Sequence, residues 1–325
     1  MKHWKCILVL ALVLCLLSGC GHAPAETAAA PAGTAVRTLE EEPASGGGEN
    51  PGEGGKPAPS LAEDEEPAVL LCRIVDGAED GNLLLAELDG GLYGGTGVYR
   101  LNVENIPVTL DGAAAEPAVL EDGMPVEVSF NGGVLESFPA QFGEVYGVSA
   151  WSRGQGRNGM GTAYDLCGLY LQVLDDLWNK DLGLNEDISI AGLDLSRAPG
   201  GLTESETSAL AWRFGELHGV EVVTGTFQEL KEQGYFQEKT IQHTDGAQQK
   251  ETVAGPAFYE WEDGCLFSIE SNEEHEGETY SLPVLFFNAE KWRSPLGAYC
   301  FYDCSAGWGE ATAWNGYSVG SEMIS

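Results

Sequence analysis

Apolar residues are spread along this chain in four different ways, and each predicts a different kind of segment. Cys6 to Leu17 is an unbroken run of twelve apolar positions behind Lys2 and Lys5. Gly21 to Pro67 is almost empty of large apolar side chains. It consists of Ala, Pro, Gly, Ser and Glu with acidic runs at Glu40 to Glu42 and Glu63 to Glu66, the composition of a disordered tether. From Ala68 the apolar positions come in short β-rich runs: Val69 to Val75, Leu83 to Leu88, Val98 to Val103, Val126 to Phe130, Val134 to Phe138 and Glu144 to Ala150. Turn signals separate them at Asp80-Gly81-Asn82, Asp89-Gly90-Gly91, Asp111-Gly112 and Asp122-Gly123. Asn131-Gly132 between two alternating stretches predicts a hairpin. Five or six short strands over residues 68–151 suggest a small antiparallel barrel or sandwich.

The fourth pattern begins near Tyr164, where Leu166, Cys167, Tyr170, Leu174, Leu177 and Trp178 recur at steps of three and four, which predicts a helix to Lys180 with one buried face. Ile188 to Leu195 reads as a strand. Thr203 and Glu206 are spaced as a capping box opening a helix to His218, with Leu210, Phe214 and Leu217 on its buried side and Gly219 at its C-terminal cap. Val220 to Val223 reads as a second strand, and Thr226 with Glu229 caps a shorter helix ending at Gly234. This strand-helix-strand spacing permits a parallel pair. Residues 236–256 are polar and read as a loop. Phe258 to Trp261 and Cys265 to Ile269 read as a tight hairpin through Asp263-Gly264, and Tyr280 to Asn288, Gly297 to Cys304 and Trp314 to Val319 as further strands. The predicted class is α+β, an antiparallel β-module (68–151), a Gly-rich linker (152–162) and an α+β domain (163–325).

Charge narrows the partners. With 16 basic and 51 acidic residues the chain carries −35, so it lacks the basic stripe that releases counterions from a nucleic acid. No D-x-D-x-D-G loop is present to turn the carboxylates into a calcium site. Once Cys6, Cys15 and Cys20 are set aside, Cys72, Cys167, Cys265, Cys300 and Cys304 remain. An odd number argues against a disulfide framework, and no Cys or His pair stands at zinc spacing beside Cys300 and Cys304.

Two stretches resemble known families. The basic start, the short apolar run and Leu17-Ser18-Gly19-Cys20 resemble the signal peptide and lipobox of bacterial lipoproteins, here residues 1–20. That resemblance implies a diacylglycerol thioether on Cys20, addition of palmitate-type acyl chains, and a mature chain held on the outer face of the cell membrane. Twelve apolar residues are too few to span a bilayer, which takes about 20. The 47-residue tether, 21–67, then gives a reach of about 35 to 40 Å. The stretch from Asp122 to Val148, DGMPVEVSFNGGVLESFPAQFGEVYGV, resembles an OB-like domain of unknown function in Gram-positive lipoproteins. That family implies no catalytic residues. The stretches GLYLQVLDDLW, LTESETSALAWRFGE and KWRSPLGAYCFYDC are similar to uncharacterised lipoproteins of anaerobic Gram-positive bacteria.

No catalytic constellation emerges. Gly154, Gly156 and Gly159 match a dinucleotide fingerprint but read as a hinge, because no βαβ unit with a ribose-binding acid follows. His218 fits the end of a helix, and His243 and His275 sit in polar segments, with Glu273-Glu274-His275-Glu276 reading as a solvated charge run. No H-E-x-x-H or G-x-S-x-G is present, and neither metal nor cofactor is expected. Trp292 and Arg293, with Trp308 and Trp314 nearby in the chain, are the candidate contacts to a protein, peptide or glycan ligand. Tyr93, Tyr99 and Phe130 are further aromatic candidates on the β-module. The expectation is a lipid-anchored surface protein that binds a protein, peptide or cell-wall component. The alternative is a glycan hydrolase using paired carboxylates, whose mark is their spatial separation.

Overall fold

The computed structural model describes residues 66–88, 97–152, 165–243, 253–275, 284–307 and 316–325, all of them within one compact unit, Lys56–Ser325. The signal segment, the tether up to residue 65 and the glycines at 154, 156 and 159 lie outside the described residues. Strand greatly exceeds helix, so the class is a β-rich α+β fold.

The first sheet contains β1 (Ala68–Asp76), β2 (Asn82–Glu87), β3 (Val98–Asn102), β4 (Val108–Leu110), β5 (Ala113–Ala115), β6 (Pro125–Phe130), β7 (Val134–Leu135), β8 (Ala140–Phe142) and β9 (Val145–Ala150). Their order is β5-β4-β9-β6-β1-β2-β3-β8-β7. The expected all-antiparallel pairing gives way to a mixed sheet, because β3 runs parallel to β8 and β4 parallel to β9. The sheet curls. Three strands separate β6 from β8, yet Phe130 and Phe142 meet with ring centroids 5.0 Å apart, and Tyr99 stacks on Phe142 at 4.7 Å.

Turn chemistry sorted the hairpins differently from the expectation. Asp111 and Gly112 both take positive φ, 52° and 82°, between the paired strands β4 and β5, as a two-residue hairpin with matched twist requires. Asn131-Gly132 makes a turn but no hairpin: β6 pairs with β1 and β9, and β7 with β8. Asn131 Oδ1 accepts from the N–H of Gly133 at 3.0 Å, and its own N–H reaches the carbonyl of Glu144 at 2.9 Å. The chain is thereby sent away from β6 rather than back along it.

In the second half, α1 (Leu166–Trp178), β10 (Ile190–Arg197), α2 (Glu204–His218), β11 (Glu221–Thr224) and α3 (Phe227–Glu232) follow the predicted order. Both capping boxes form, Thr203 with Glu206 and Thr226 with Glu229, and Gly219 caps α2 at φ 67°. β10 and β11 are parallel. Then come β12 (Gln237–His243), β13 (Val253–Glu260), β14 (Gly264–Ser271), β15 (Val284–Ser294), β16 (Gly297–Gly307) and β17 (Ser321–Ile324), giving a six-stranded sheet β11-β10-β14-β15-β16-β17 and a separate β12-β13 ribbon.

Three expectations are corrected here. The polar stretch read as a loop supplies β12 and part of β13, paired antiparallel to each other. The Asp263-Gly264 hairpin does not form, because β14 leaves β13 to lie parallel to β10. The buried ring of Trp261 lies over Gly264 so closely that an added Cβ would come within 2.1 Å of it. The last strand is Ser321–Ile324 rather than Trp314 to Val319; of that stretch Ser318 makes only an isolated bridge with Ser305, and Trp314 lies outside the described residues.

Helices α1 and α2 are packed between the two sheets. One buried cluster joins Val75, Leu84, Ala86 and Val98 of the first sheet to Leu169, Tyr170, Val173, Leu174, Leu210 and Phe214 of the helices and to Leu193, Phe267, Phe287 and Phe301 of the second sheet. β1 and β2 are thus covered on both faces, since Leu70, Cys72, Ile74, Leu83 and Leu85 face the other way into the curl. This explains the continuous Leu83-Leu84-Leu85 run.

The last turn of α2 corrects a further assignment. Leu217 is exposed, and His218 takes the inward place, stacked on Trp178 at 4.2 Å and edge-on to Phe214 at 4.5 Å. Burial lowers its pKa from the ordinary 6.5, against the pull of Asp175, whose Oδ1 is 3.4 Å from Nε2. The imidazole is therefore neutral at neutral pH, so its place at the helix end is that of a packed ring and not of a cation facing the dipole. Since the unfolded chain binds this proton more tightly, stability falls as pH drops through 6.5 toward the lower folded value. Denaturant unfolding between pH 5 and 7 is expected to show a smaller acid loss for His218→Phe than for the parent chain.

Candidate ligand-binding groove

The second half of α2 carries two faces. Leu210 and Phe214 point into the shared core, while Ser208, Ala211, Trp212 and Gly215 recur at helical spacing on another side. Gly215 lets the helix close on β11, as an added Cβ would stand 2.9 Å from the carbonyl of Val220 and 3.1 Å from Val222. The same turn is fixed by the N–H groups of Gly219 and Val220, both donated to the Gly215 carbonyl at 2.8 and 3.2 Å, the closing pattern of a glycine-capped helix.

This close approach leaves a groove of about 360 Å³ between α2, the strand β11 and Phe138 from the turn between β7 and β8. Ser208, Ala211 and Gly215 line its small-residue side, Val220, Val222 and Thr224 the strand side, and Trp212 and Phe138 supply the aromatic surface. Phe138 is 57% exposed. Trp212 is half-buried, with the guanidinium carbon of Arg100 4.5 Å from its ring centroid, a cation–π contact that orients the indole. Arg213 beside it is neutralised by Asp76 at 2.6 Å. Glu216 is the one carboxylate among the groove's lining residues, which include neither histidine nor cysteine.

β11 is the last strand of its sheet. The N–H groups of Glu221 and Gly225 donate inward, to the carbonyls of Ser189 and Leu193 at 2.9 and 3.1 Å. By strand alternation the N–H and C=O groups of Val222 and Thr224 point outward, along the groove.

The residues singled out from sequence are placed elsewhere. Arg293 is a backbone staple: Nε donates to the Trp261 carbonyl at 3.2 Å, Nη1 to Leu184 and Glu186 at 3.3 and 2.7 Å, and Nη2 to Glu262 at 2.5 Å. Trp292 packs against Phe227 and Phe236 at 5.0 and 5.3 Å in a small cluster with Leu230, Trp261 and Leu266. Both side chains are occupied by the fold. Tyr99 and Phe130 are core residues, and Cys20, Tyr93, Trp308 and Trp314 lie outside the described residues.

The five cysteines among the described residues are buried and form no disulfide with one another, and burial raises the pKa of Cys167, Cys265, Cys300 and Cys304, which suits packing groups better than nucleophiles. His275 stacks on Phe286 at 4.0 Å and bonds Asp303 at 2.8 Å. Among the described residues no group of His, Cys, Asp and Glu is arranged to hold a metal ion, and no helix is long and apolar enough to cross a membrane. No family model, curated protein or solved structure matches the chain.

Sequence reasoning missed the groove. Trp212 gave one signal, a large aromatic two positions from both Leu210 and Phe214 and so off the buried stripe of the helix. Phe138, from the other sheet, gave none.

Proposed function

We propose that this chain is a lipoprotein of the outer membrane face, acylated at Cys20, that binds a protein, peptide or cell-wall component in the groove between α2 and β11. The observation that carries the binding reading is the composition of the groove: aromatic and aliphatic walls, with Phe138 exposed, around a single carboxylate, Glu216. Retaining and inverting glycan hydrolysis both use two carboxyl groups flanking the scissile bond, and the lining offers one. Specific recognition of a ligand by apolar walls with a few polar groups fits the same inventory.

The anchor rests on the lipobox resemblance at Leu17-Ser18-Gly19-Cys20 and on a following segment suited to a tether. We read the first sheet as a derivative of the OB-like module of Gram-positive lipoproteins, a reading supported by the Asp122 to Val148 stretch and by the curl that brings Phe142 back to Phe130. The acidic balance sets nucleic acid aside as a ligand.

Metabolic labelling with radioactive palmitate tests the anchor. The parent chain is expected to be labelled and to sediment with membranes, whereas Cys20→Ala or globomycin treatment abolishes the label or blocks signal removal. Unchanged labelling of the Cys20→Ala chain overturns the anchor.

A further inference from the structure

We infer that the groove takes an extended peptide that adds as a strand to the outer edge of β11, with alternating apolar and cationic side chains. This rests on the groove reading above and names its ligand class. The edge supplies main-chain valence: the outward N–H and C=O groups of Val222 and Thr224 form a ladder that no described strand uses. An added strand satisfies them in the way an edge recruits a peptide in strand addition.

Alternation then fixes the side chains. A strand paired to β11 sends every second side chain toward α2, where Val220, Val222, Trp212 and Phe138 form apolar walls. Arg100, held over Trp212, disfavours a cation on that side. The remaining side chains point to the opposite face of the sheet, where Glu221 is exposed. With Glu221 exposed on that face and the chain as a whole carrying −35, a cationic segment is attracted and an acidic one repelled. A peptide alternating valine with lysine meets both faces.

Fluorescence anisotropy with the full chain in detergent micelles tests this, using a labelled octapeptide of alternating Lys and Val. The expected result is saturable binding that weakens with salt and is absent for the matching Glu–Val peptide. The same Lys–Val peptide N-methylated on the residues that face β11 is expected to bind about tenfold more weakly, a loss of about 1.4 kcal/mol, because its N–H groups no longer donate to the edge. The N-methyl comparison leaves the protein untouched. Thr224→Pro, which removes one outward N–H, is expected to weaken binding by a similar factor, and Trp212→Ala to weaken it through the lost wall.

Equal affinity of the N-methylated and parent peptides overturns strand addition. If no peptide binds but chitotetraose does, and Trp212→Ala abolishes that binding, the peptide inference fails while the groove reading stands. If neither probe binds, both fail.

Discussion

Replacing Arg73 by alanine is expected to destabilise the folded chain by about 3–5 kcal/mol, the cost of leaving one member of a buried ion pair without its partner. Arg73 is 4% exposed. Its Nε donates to Glu206 Oε1 at 2.7 Å and its Nη1 to the Gly123 carbonyl at 2.9 Å. Glu206 is committed twice, since its other oxygen accepts the Thr203 N–H at 2.9 Å and closes the capping box of α2. Without Arg73 the carboxylate stays buried with Asp165 nearby, a second carboxyl whose pKa burial already raises. The surrounding turn has no slack: Gly123 approaches Asp165 so closely that an added Cβ would lie 2.7 Å from the Asp165 side chain.

Urea unfolding midpoints measure the loss. The double replacement Arg73→Met with Glu206→Gln is expected to recover more than half of it, because glutamine keeps an acceptor for Thr203 and carries no charge. By contrast, breaking the half-exposed Arg213–Asp76 pair is expected to cost less than about 1 kcal/mol. An Arg73→Ala chain within 1 kcal/mol of the parent would show that water reaches Glu206. The pair also ties α2 to the sheet that carries Phe138, and the groove has one wall on each.

What the sequence made legible was local. The start of α2 could be read from Thr203 and Glu206, its end from Gly219, and α3 from Thr226 and Glu229, because a helix end is settled by side chains three residues apart. β1 to β3 and β10 could be read from apolar runs for the same reason. Strand partners could not, because Asn131-Gly132 and Asp263-Gly264 carry hairpin chemistry while the strands that follow find distant neighbours. The β12-β13 ribbon escaped because Gln237 to His243 shows no apolar alternation; its strands are held by backbone pairing, with an exposed Lys239–Glu262 ion pair beside it. Trp292 and Arg293 show the limit for sites. A tryptophan beside an arginine has the same composition whether it meets a ligand or a core, and only the four carbonyls around Arg293 decide.

The neighbouring Lys291 carries the second large expected effect. It points to the other face of β15 from Trp292, is 0% exposed, and its Nζ donates to the carbonyls of Trp178, Lys180 and Asp181 at 3.2, 2.7 and 3.3 Å. These are carbonyls at the end of α1, where a helix leaves acceptors unpaired and a cation complements its dipole. Burial pushes the Lys291 ammonium down to about 8, which still leaves it charged at pH 7. Lys291→Met keeps the stem and removes the head. Orphaning three part-buried carbonyls costs up to about 1–3 kcal/mol each, and relief from holding a charge out of water returns several kcal/mol, so the expected net loss is about 3 kcal/mol. The distinguishing readout is local: amide hydrogen exchange should rise first in the last turn of α1 and in Leu182–Asn185, the 3₁₀ turn that follows it. A Lys291→Met chain with parent-like stability and unchanged protection there would mean that water, not the ammonium, satisfies the end of α1.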